Sequence, residues 1–232
     1  GINRINWNLK TQTTSPIRLK EPKVGRYSSA DDGYLVAPGQ YSVEILTLKD
    51  GATASLISKT EFIVKSLDNR ALPNSDVAEL IQFRKDVAET SRQIAGSGKL
   101  MGELNDKLKY IEMAIKKYPG TDLNLLTEVE SIKTDYHTAS AVLWGDGIRS
   151  SHEFETVPSI SGRIGMVDYQ INSNRAGVTK THRLNKKIAE EEYSEFRKSL
   201  NAMIVKTRAI EDKLKAANIP YIKGKDETWK ED

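Results

Sequence analysis

The sequence predicts an α+β, multi-domain chain in which a β-sandwich segment precedes an antiparallel bundle of long helices. Up to about residue 66, apolar residues alternate loosely with polar ones between turn residues, and this pattern is typical of strands. From Ser75 onward, apolar residues recur every three or four positions, which is typical of helices. We therefore divide the 232 residues into a β segment over 1–66 and a bundle of four to five helices over 67–232.

The β segment begins with a predicted strand and a long polar loop. Four apolar residues mark the strand: Ile2, Ile5, Trp7 and Leu9. We expect Trp7 in the core of the sheet, because a large aromatic ring in an apolar-patterned strand favours burial. Residues 11–33 are charged and rich in serine, so they predict a loop with at most one short edge strand near Ile17.

A hairpin is predicted after this loop. Pro38 and Gly39 predict a turn, because proline presets φ and glycine adopts positive φ at low cost. The strand after this turn is marked by its apolar residues, Tyr41, Val43, Ile45 and Leu46. Asp50-Gly51 is a typical two-residue turn, and it leads to a returning strand over 56–64.

These three strands are fewer than the roughly seven of a closed sandwich. We therefore expect a partial immunoglobulin-like or fibronectin type III-like β-sandwich whose remaining strands lie upstream in a longer parent protein. An incomplete sheet exposes an unpaired edge, which another chain can occupy.

The helical spacing predicts that the first two helices form an antiparallel hairpin. The Gly96-Ser97-Gly98 cluster is expected to end the first helix, and Pro119-Gly120 the second. A third helix is expected to start near Thr121 or Asp122, since either residue is a suitable N-cap. Beyond a polar loop over 145–158, a shorter helix is marked by Ile160, Ile164, Val167 and Ile171.

The last helix is predicted to be the longest, over about 181–217. Its apolar positions alternate steps of four and three, as in the seam of a coiled-coil-like bundle. These positions are Ala189, Tyr193, Phe196, Leu200, Met203, Thr207, Ile210, Leu214 and Ala217. Pro220 is expected to end the helix, because proline cannot continue it.

Composition excludes several classes of function. The 35 basic and 32 acidic residues give a net charge of only +3, and the basic residues lie mostly beside acidic ones, so no nucleic-acid partner is predicted. No apolar run reaches the ~18 residues of a membrane-spanning helix, and no membrane insertion is predicted. The chain has no cysteine, and its three histidines lack metal-binding spacing, so we predict no metal site and no cofactor.

Two groups of motifs suggest a family. The first pairs the glycine-x-asparagine-x-x-x-tryptophan of residues 1–7 with the proline-glycine-x-tyrosine of residues 38–41. The second comprises residues 143–146, residues 158–160 with Arg163, and residues 219–224 with Trp229. Together they resemble the C-terminal immunoglobulin-like and helical region of bacterial sortilin-like, Asp-box (BNR) repeat β-propeller proteins, often labelled glycosyl hydrolases. The β half alone is also similar to the immunoglobulin-like module of flagellar hook-capping proteins.

The resemblance implies a location, a partner and a set of structural residues. It implies a secreted, periplasmic or cell-surface protein whose partner is an upstream β-propeller of the same parent. The hydrolase label belongs to that propeller, so the resemblance assigns no catalytic residue to this chain. It implies structural roles for Trp7, Pro38, Gly39, Tyr41 and Pro220.

One loop carries the remaining candidate site. His152 and Glu153, with Asp146 nearby in sequence, would form a metal site or an acid–base pair if the fold brought the three side chains together. The alternative interpretation is a solvated loop, which the polar composition of residues 145–158 favours.

Three functions remain as hypotheses. The first is a non-catalytic accessory module that packs on the propeller or mediates assembly, including assembly into a homo-oligomer. The second is a carbohydrate-binding region that serves a glycosidase, through the immunoglobulin-like part or the 145–158 loop. The third, ranked last, is a hydrolase that uses the three loop residues.

Overall fold

The structure is a computed structural model that describes residues 4–13, 15, 17, 33–67, 76–173 and 177–219. It is mostly helical, at 62%, and its one sheet in these ranges has two antiparallel strands. The predicted α+β fold with a partial immunoglobulin-like or fibronectin type III-like sandwich is therefore wrong. The part of the predicted first strand that is described, from Arg4 to Leu9, is not a strand, and the chain next to it makes one isolated bridge, Lys10 with Leu35.

Two strands and five helices follow one another along the described chain. They are β1 (Gly39–Lys49), β2 (Ala52–Val64), α1 (Val77–Lys117), α2 (Leu125–Trp144), α3 (Gly147–Ser151), α4 (Ile160–Ser173) and α5 (Lys180–Ala216).

The predicted hairpin is confirmed. Asp50 and Gly51 join β1 to β2, and both have positive φ, 53° and 78°, as a tight hairpin turn requires. The pairing shifts register on either side of Ile45, where β2 has one extra residue each time. Such bulges increase the twist of a strand pair. Gly39 is the first residue of β1, where it pairs with Val64, and its φ is not positive.

Helix α1 corrects the predicted hairpin of two helices. It runs without a break through Gly96-Ser97-Gly98 to Lys117. The physical reason is a repeat of seven residues that crosses the glycines, formed by the buried residues Val87, Ile94, Met101, Leu108 and Ile115. The apolar burial of a long seam outweighs the helix cost of glycine, which is about 1 kcal/mol per residue.

The two later helices match their predictions closely. The four apolar residues that predicted α4, Ile160, Ile164, Val167 and Ile171, are buried, and so is the predicted seam of α5 from Ala189 to Leu214. Ala217 is the exposed C-cap of α5, and Pro220 lies outside the described residues. Helix α2 begins later than predicted, at Leu125, because the Asp122 carboxylate accepts the Asn124 N–H at 2.9 Å and stabilises a turn before the helix.

Helices α1 and α5 lie parallel. Ser97 Oγ and Tyr193 Oη share a hydrogen bond of 2.8 Å, and Lys107 Nζ lies 3.1 Å from Glu211 Oε1. Residue numbers therefore rise together along the two helices.

Helices α2 and α4 form a third column, antiparallel to α5. Ion pairs join Glu128 with Lys213 and Asp135 with Lys206 along α2, and Arg163 with Glu192 along α4. Ser161 Oγ donates to Leu143 O at 2.6 Å, which fastens the start of α4 to the end of α2. Residues 145–159 are thus an insertion between two helices that continue one another.

The described residues fall into two compact units. The first unit comprises those within Gly1–Thr14, Arg18–Lys85 and Gln170–Val178. The second unit comprises those within Ser15–Ile17, Asp86–Tyr169 and Thr179–Asp232.

Candidate interaction surfaces

An aromatic cluster stabilises the β region. The Trp7 ring centroid lies 5.6 Å from that of Tyr41 and 5.9 Å from that of Phe62. Trp7 Nε1 donates to Lys10 O, and Tyr41 Oη donates to Ala37 O, each at 2.8 Å. The ring contacts hold Trp7 against the first strand pair of the hairpin, whereas the two hydrogen bonds are local and orient the Trp7 and Tyr41 side chains. Pro38, next to Ala37, is exposed.

Trp7 is not the buried core residue that the sequence predicts. It covers only one end of the hairpin face, and 44% of its surface is exposed. The expected burial required a second sheet to cover the ring, and the described chain contains no second sheet. Part of the indole is therefore accessible to a partner.

The hairpin presents apolar side chains on both faces. Val43 and Ile57 continue the face of Tyr41 and Phe62, whereas Leu46, Leu48 and Ile63 lie on the opposite face. Six large aliphatic side chains of the hairpin are at least half exposed: Val43, Leu46, Leu48, Leu56, Ile57 and Ile63. A soluble hairpin normally has one polar face, so the apolar side chains on both faces make this hairpin a candidate interaction surface. We call this set the hairpin surface.

The three loop candidates have separate positions in the 145–159 insertion. Asp146 is the N-cap of α3, where its carboxylate accepts the N–H groups of Ile148 and Arg149 at 3.1 and 3.0 Å. His152 is the C-cap of α3, with its ring 6.4 Å from that of Phe154, and Glu153 has a φ of 60°. All three residues are described, and no hydrogen bond or ion pair joins their side chains.

The same insertion exposes apolar side chains. Ile148, Phe154 and Val157 are each more than half exposed. Trp144, at its base, lies against α1, where a Cβ added to Gly98 would be 3.2 Å from the indole Cζ2. The close approach of this ring gives Gly98 a structural role that the sequence prediction, which treated it as a helix stop, missed.

A groove runs along the parallel pair α1 and α5. Three adjoining cavities of about 420, 450 and 520 Å³ follow one another along it, and neighbouring cavities share Gln93, Tyr193 and Leu100 among their lining residues. The groove extends on α1 from Asp86 to Tyr110. Sequence reasoning missed it, because the helix break predicted at residues 96–98 would separate the two halves of its α1 wall, and no such break exists. The seven-residue repeat across the glycines was the available signal.

The groove has edges of opposite charge. On α1 the lining acidic residues are Asp86, Glu89, Glu103 and Asp106. On α5 the lining basic residues are Lys186, Arg197 and Arg208. Lys107 on α1 and Glu190 and Glu211 on α5 reverse this pattern, but Lys107 pairs with the buried Glu211 and Glu190 pairs with Lys186. These pairs leave Arg197 and Arg208 as the basic residues that define the charge of the α5 edge.

An ion-pair network fastens α1 to α2 at the other side of the bundle. Lys133 of α2 donates to the carboxylates of Glu112 and Glu130, and Lys116 also donates to Glu112. These hydrogen bonds, from Lys116 first and Lys133 second, lower the pKa of Glu112 to about 2. This network has a structural partner for each charge, so we assign it to stability.

Within the described ranges there is no cluster of three or more potential metal-ligating side chains. No helix described here is both long and apolar enough to cross a membrane. The surfaces that remain as candidates are the hairpin surface, the insertion and the groove.

Comparisons with protein-family models, with curated proteins and with solved structures find no match to this chain. The resemblance to the C-terminal region of sortilin-like β-propeller proteins therefore stays a prediction that rests on the quoted motifs.

Proposed function

We propose that this chain is a non-catalytic interaction module whose hairpin surface packs on β structure of a larger protein. The observation that carries the proposal is the exposure of apolar side chains on both faces of β1 and β2. A two-stranded hairpin with water on both sides is marginally stable at best. A partner that covers the aliphatic side chains would stabilise the hairpin.

The expected gain is large enough for specific binding. Covering six aliphatic side chains that are at least half exposed contributes on the order of 1 kcal/mol each. The sum exceeds the lower estimates of the cost of association, about 4 kcal/mol. Charged residues on the hairpin are few, since Glu44, Lys49, Asp50, Lys59 and Glu61 are the ones between residues 39 and 64.

The partner that the proposal names is a β-propeller of the same parent protein, on the extracytoplasmic side of a bacterial membrane. Its support is the motif resemblance together with the chemistry of the hairpin surface, which suits a neighbouring sheet. Strand addition supplies main-chain hydrogen bonds to an open strand edge, and apolar pockets supply specificity.

Carbohydrate binding is the second candidate, and one observation favours it. Trp7 and Trp144 are each about half exposed, at 44% and 46%, so each offers part of an indole face. Such a face packs against the apolar side of a sugar ring. This alternative needs Trp7 or Trp144, whereas the interaction proposal needs the aliphatic residues of the hairpin.

The test is a titration of this chain with the isolated β-propeller of its parent, followed by calorimetry. We expect a complex, and we expect the Leu46→Ser/Ile57→Ser/Ile63→Ser variant to bind at least about tenfold more weakly, because it removes apolar area from both faces. The control is Ile148→Ser/Val157→Ser, which removes two aliphatic residues of the insertion that are more exposed than those of the hairpin variant and should bind as the natural chain does.

Two results would contradict the interaction proposal: no complex with the propeller, or equal weakening by the hairpin variant and its control. If the propeller does not bind and a glycan array detects a sugar whose binding is lost in Trp7→Ala or Trp144→Ala, the carbohydrate alternative replaces it.

A further inference from the structure

The groove between α1 and α5 combines an apolar centre with edges of defined charge. Its centre is partly apolar, with Leu100 and Tyr110 each about half exposed and Ile204 partly exposed. The edge on α1 is acidic and the edge on α5 is basic. We infer that a second copy of this chain packs here, in a parallel dimer that places α1 of each copy over α5 of the other.

The charge pattern selects this arrangement. Two copies can meet groove to groove about a twofold axis that runs either along the helices or across them. An axis across the helices sets α1 against α1, so acidic edges repel one another. An axis along the helices sets the acidic edge of each copy against the basic edge of the other, which is attractive at both contacts.

The relative heights of residues along α1 and α5 identify the side chains that meet in the dimer. Glu103 and Arg208 line the same cavity, so they lie at the same height on α1 and α5. A twofold axis along the helices preserves height, and therefore opposes Glu103 to the partner's Arg208. At the other end, Glu89 and Lys186 line one cavity, and Glu89 is opposed to the partner's Lys186 in the same way.

Glu103 and Arg208 are available for this contact. In the part of the chain that the structure describes, neither side chain makes a hydrogen bond or an ion pair. Both are exposed residues beside the apolar centre of the groove. Glu89 and Lys186 already have partners on their own helices. We therefore expect the contact of Glu103 with Arg208 to contribute more to the affinity of the dimer than the contact of Glu89 with Lys186.

The surface is large enough for a dimer. Residues 86–110 of α1 span roughly 36 Å at 1.5 Å per residue. Two neighbouring helices about 10 Å apart give a width of roughly 20 Å. The contact would bury about 700 Å² on each copy, within the range of specific interfaces of about 1,200–2,000 Å² in total.

The test uses charge reversal and mixing. We expect the natural chain to sediment as a dimer at micromolar concentrations. Glu103→Arg alone and Arg208→Glu alone should each weaken the dimer by at least about tenfold, because both contacts then oppose like charges. An equal mixture of the two variants should form a heterodimer. In that heterodimer the introduced basic side chain at position 103 of one copy meets the introduced acidic side chain at position 208 of the other, while the second contact stays natural.

The mixing experiment distinguishes a contact between two copies from a contact within one copy. If Glu103 and Arg208 acted only within a copy, the mixture would stay monomeric, and only the double reversal in one chain would restore the natural behaviour. The matched control is Lys198→Glu, an exposed charge reversal on α5 that does not line the groove. Helical circular dichroism of each variant establishes that it is folded.

Three results would overturn the inference. They are a natural chain that stays monomeric, a dimer that neither reversal weakens, and weakened variants that do not recover on mixing. This experiment is independent of the hairpin, so its failure leaves the proposed binding to a propeller standing.

Discussion

Gly98 allows the Trp144 indole to lie against the backbone of α1. A Cβ at this position would meet the indole Cζ2 at 3.2 Å, which is a tight contact, whereas a Cβ at Gly102 would meet no atom within 4 Å. Both glycines lie inside the same helix, so they form a matched pair.

We predict that alanine stabilises the fold to different extents at these two glycines. Gly102→Ala should raise the free energy of unfolding by about 1 kcal/mol, because alanine is the better helix former and the space is open. Gly98→Ala should raise the free energy of unfolding by clearly less than Gly102→Ala does, because the Trp144 ring must move to make room for the new Cβ. Urea unfolding measures both changes, and tryptophan emission should shift only in the Gly98 variant. Equal gains with unchanged emission would contradict this role for Gly98.

Sequence reasoning placed correctly the residues that recur at a regular spacing along one helix and face one core. Every α5 seam residue from Ala189 to Leu214 faces the same core, so its period is visible in the sequence. Gly98 and Trp144 lie 46 positions apart, and only the fold brings them together. For the same reason the exposure of Trp7 was unpredictable, since it depends on the absence of a covering sheet in the described chain.

At the scale of an element, the start of α5 depends on the protonation of one imidazole. Thr179 Oγ1 accepts the His182 N–H at 3.1 Å, and His182 Nδ1 accepts the Thr179 N–H at 3.2 Å. Burial lowers the pKa of His182, with a smaller contribution from the charge of Arg183. A protonated ring has no free acceptor at Nδ1, so the capping box requires the neutral form.

The sign of the pH effect follows from this pKa. The unfolded chain has an ordinary histidine pKa of about 6.5, so it binds a proton more readily than the folded chain does. The contribution of His182 is therefore fully present above about pH 6.5 and is lost as the pH falls from there toward the lowered pKa. We predict that His182→Gln, which keeps an acceptor at the same capping position, loses less stability than the natural chain between pH 7 and pH 5.

The measurement is urea unfolding of both proteins over that pH range. His137 and His152 are common to the two proteins, so the difference between them isolates His182. A parallel pH dependence in both would show that the cap of α5 does not titrate.

Element boundaries illustrate what local sequence signals can predict. The turn at Asp50-Gly51 and the helix over 160–173 follow from residues within a few positions of each other. The break predicted at Gly96–Gly98 was wrong, because the local penalty of two glycines is small beside a seam that runs the length of α1. A repeat that continues in phase on both sides of a glycine cluster is better evidence than the cluster itself.

At the scale of the whole molecule, the two kinds of structure differ in how much apolar surface they bury. The helical bundle has a continuous core from Val87 to Leu214, whereas β1 and β2 contain no buried side chain. Local opening free energy follows burial, so the stabilities of the hairpin and the bundle should differ.

We predict two levels of protection in hydrogen exchange. Amides of β1 and β2 should exchange much faster than those in the buried middle of α1 and α5, because opening the hairpin exposes little new surface. A bound propeller should slow the hairpin amides and leave the bundle unchanged. Hairpin amides that are already as protected as those of α5 in the isolated chain would contradict this prediction.

The candidate surfaces were predictable only in part. The pattern of Val43, Leu46, Ile57 and Ile63 suggested strands, but the sequence assigned their exposed faces to a sandwich core. The groove requires that α1 and α5 be neighbours, which is a property of topology and of contacts about a hundred residues apart.

The parallel pairing of α1 and α5 also sets an order for the folding of this chain. Glu112 and Lys133, which join α1 to α2, are 21 residues apart, whereas Thr90 and Glu190, which join α1 to α5, are 100 residues apart. Closing the longer loop costs more chain entropy, so α5 is expected to dock last. During synthesis, α1 leaves the ribosome long before α5 has been made. The part of the apolar seam of α1 that α5 covers therefore stays exposed until α5 is complete, while α2 can already pack on α1.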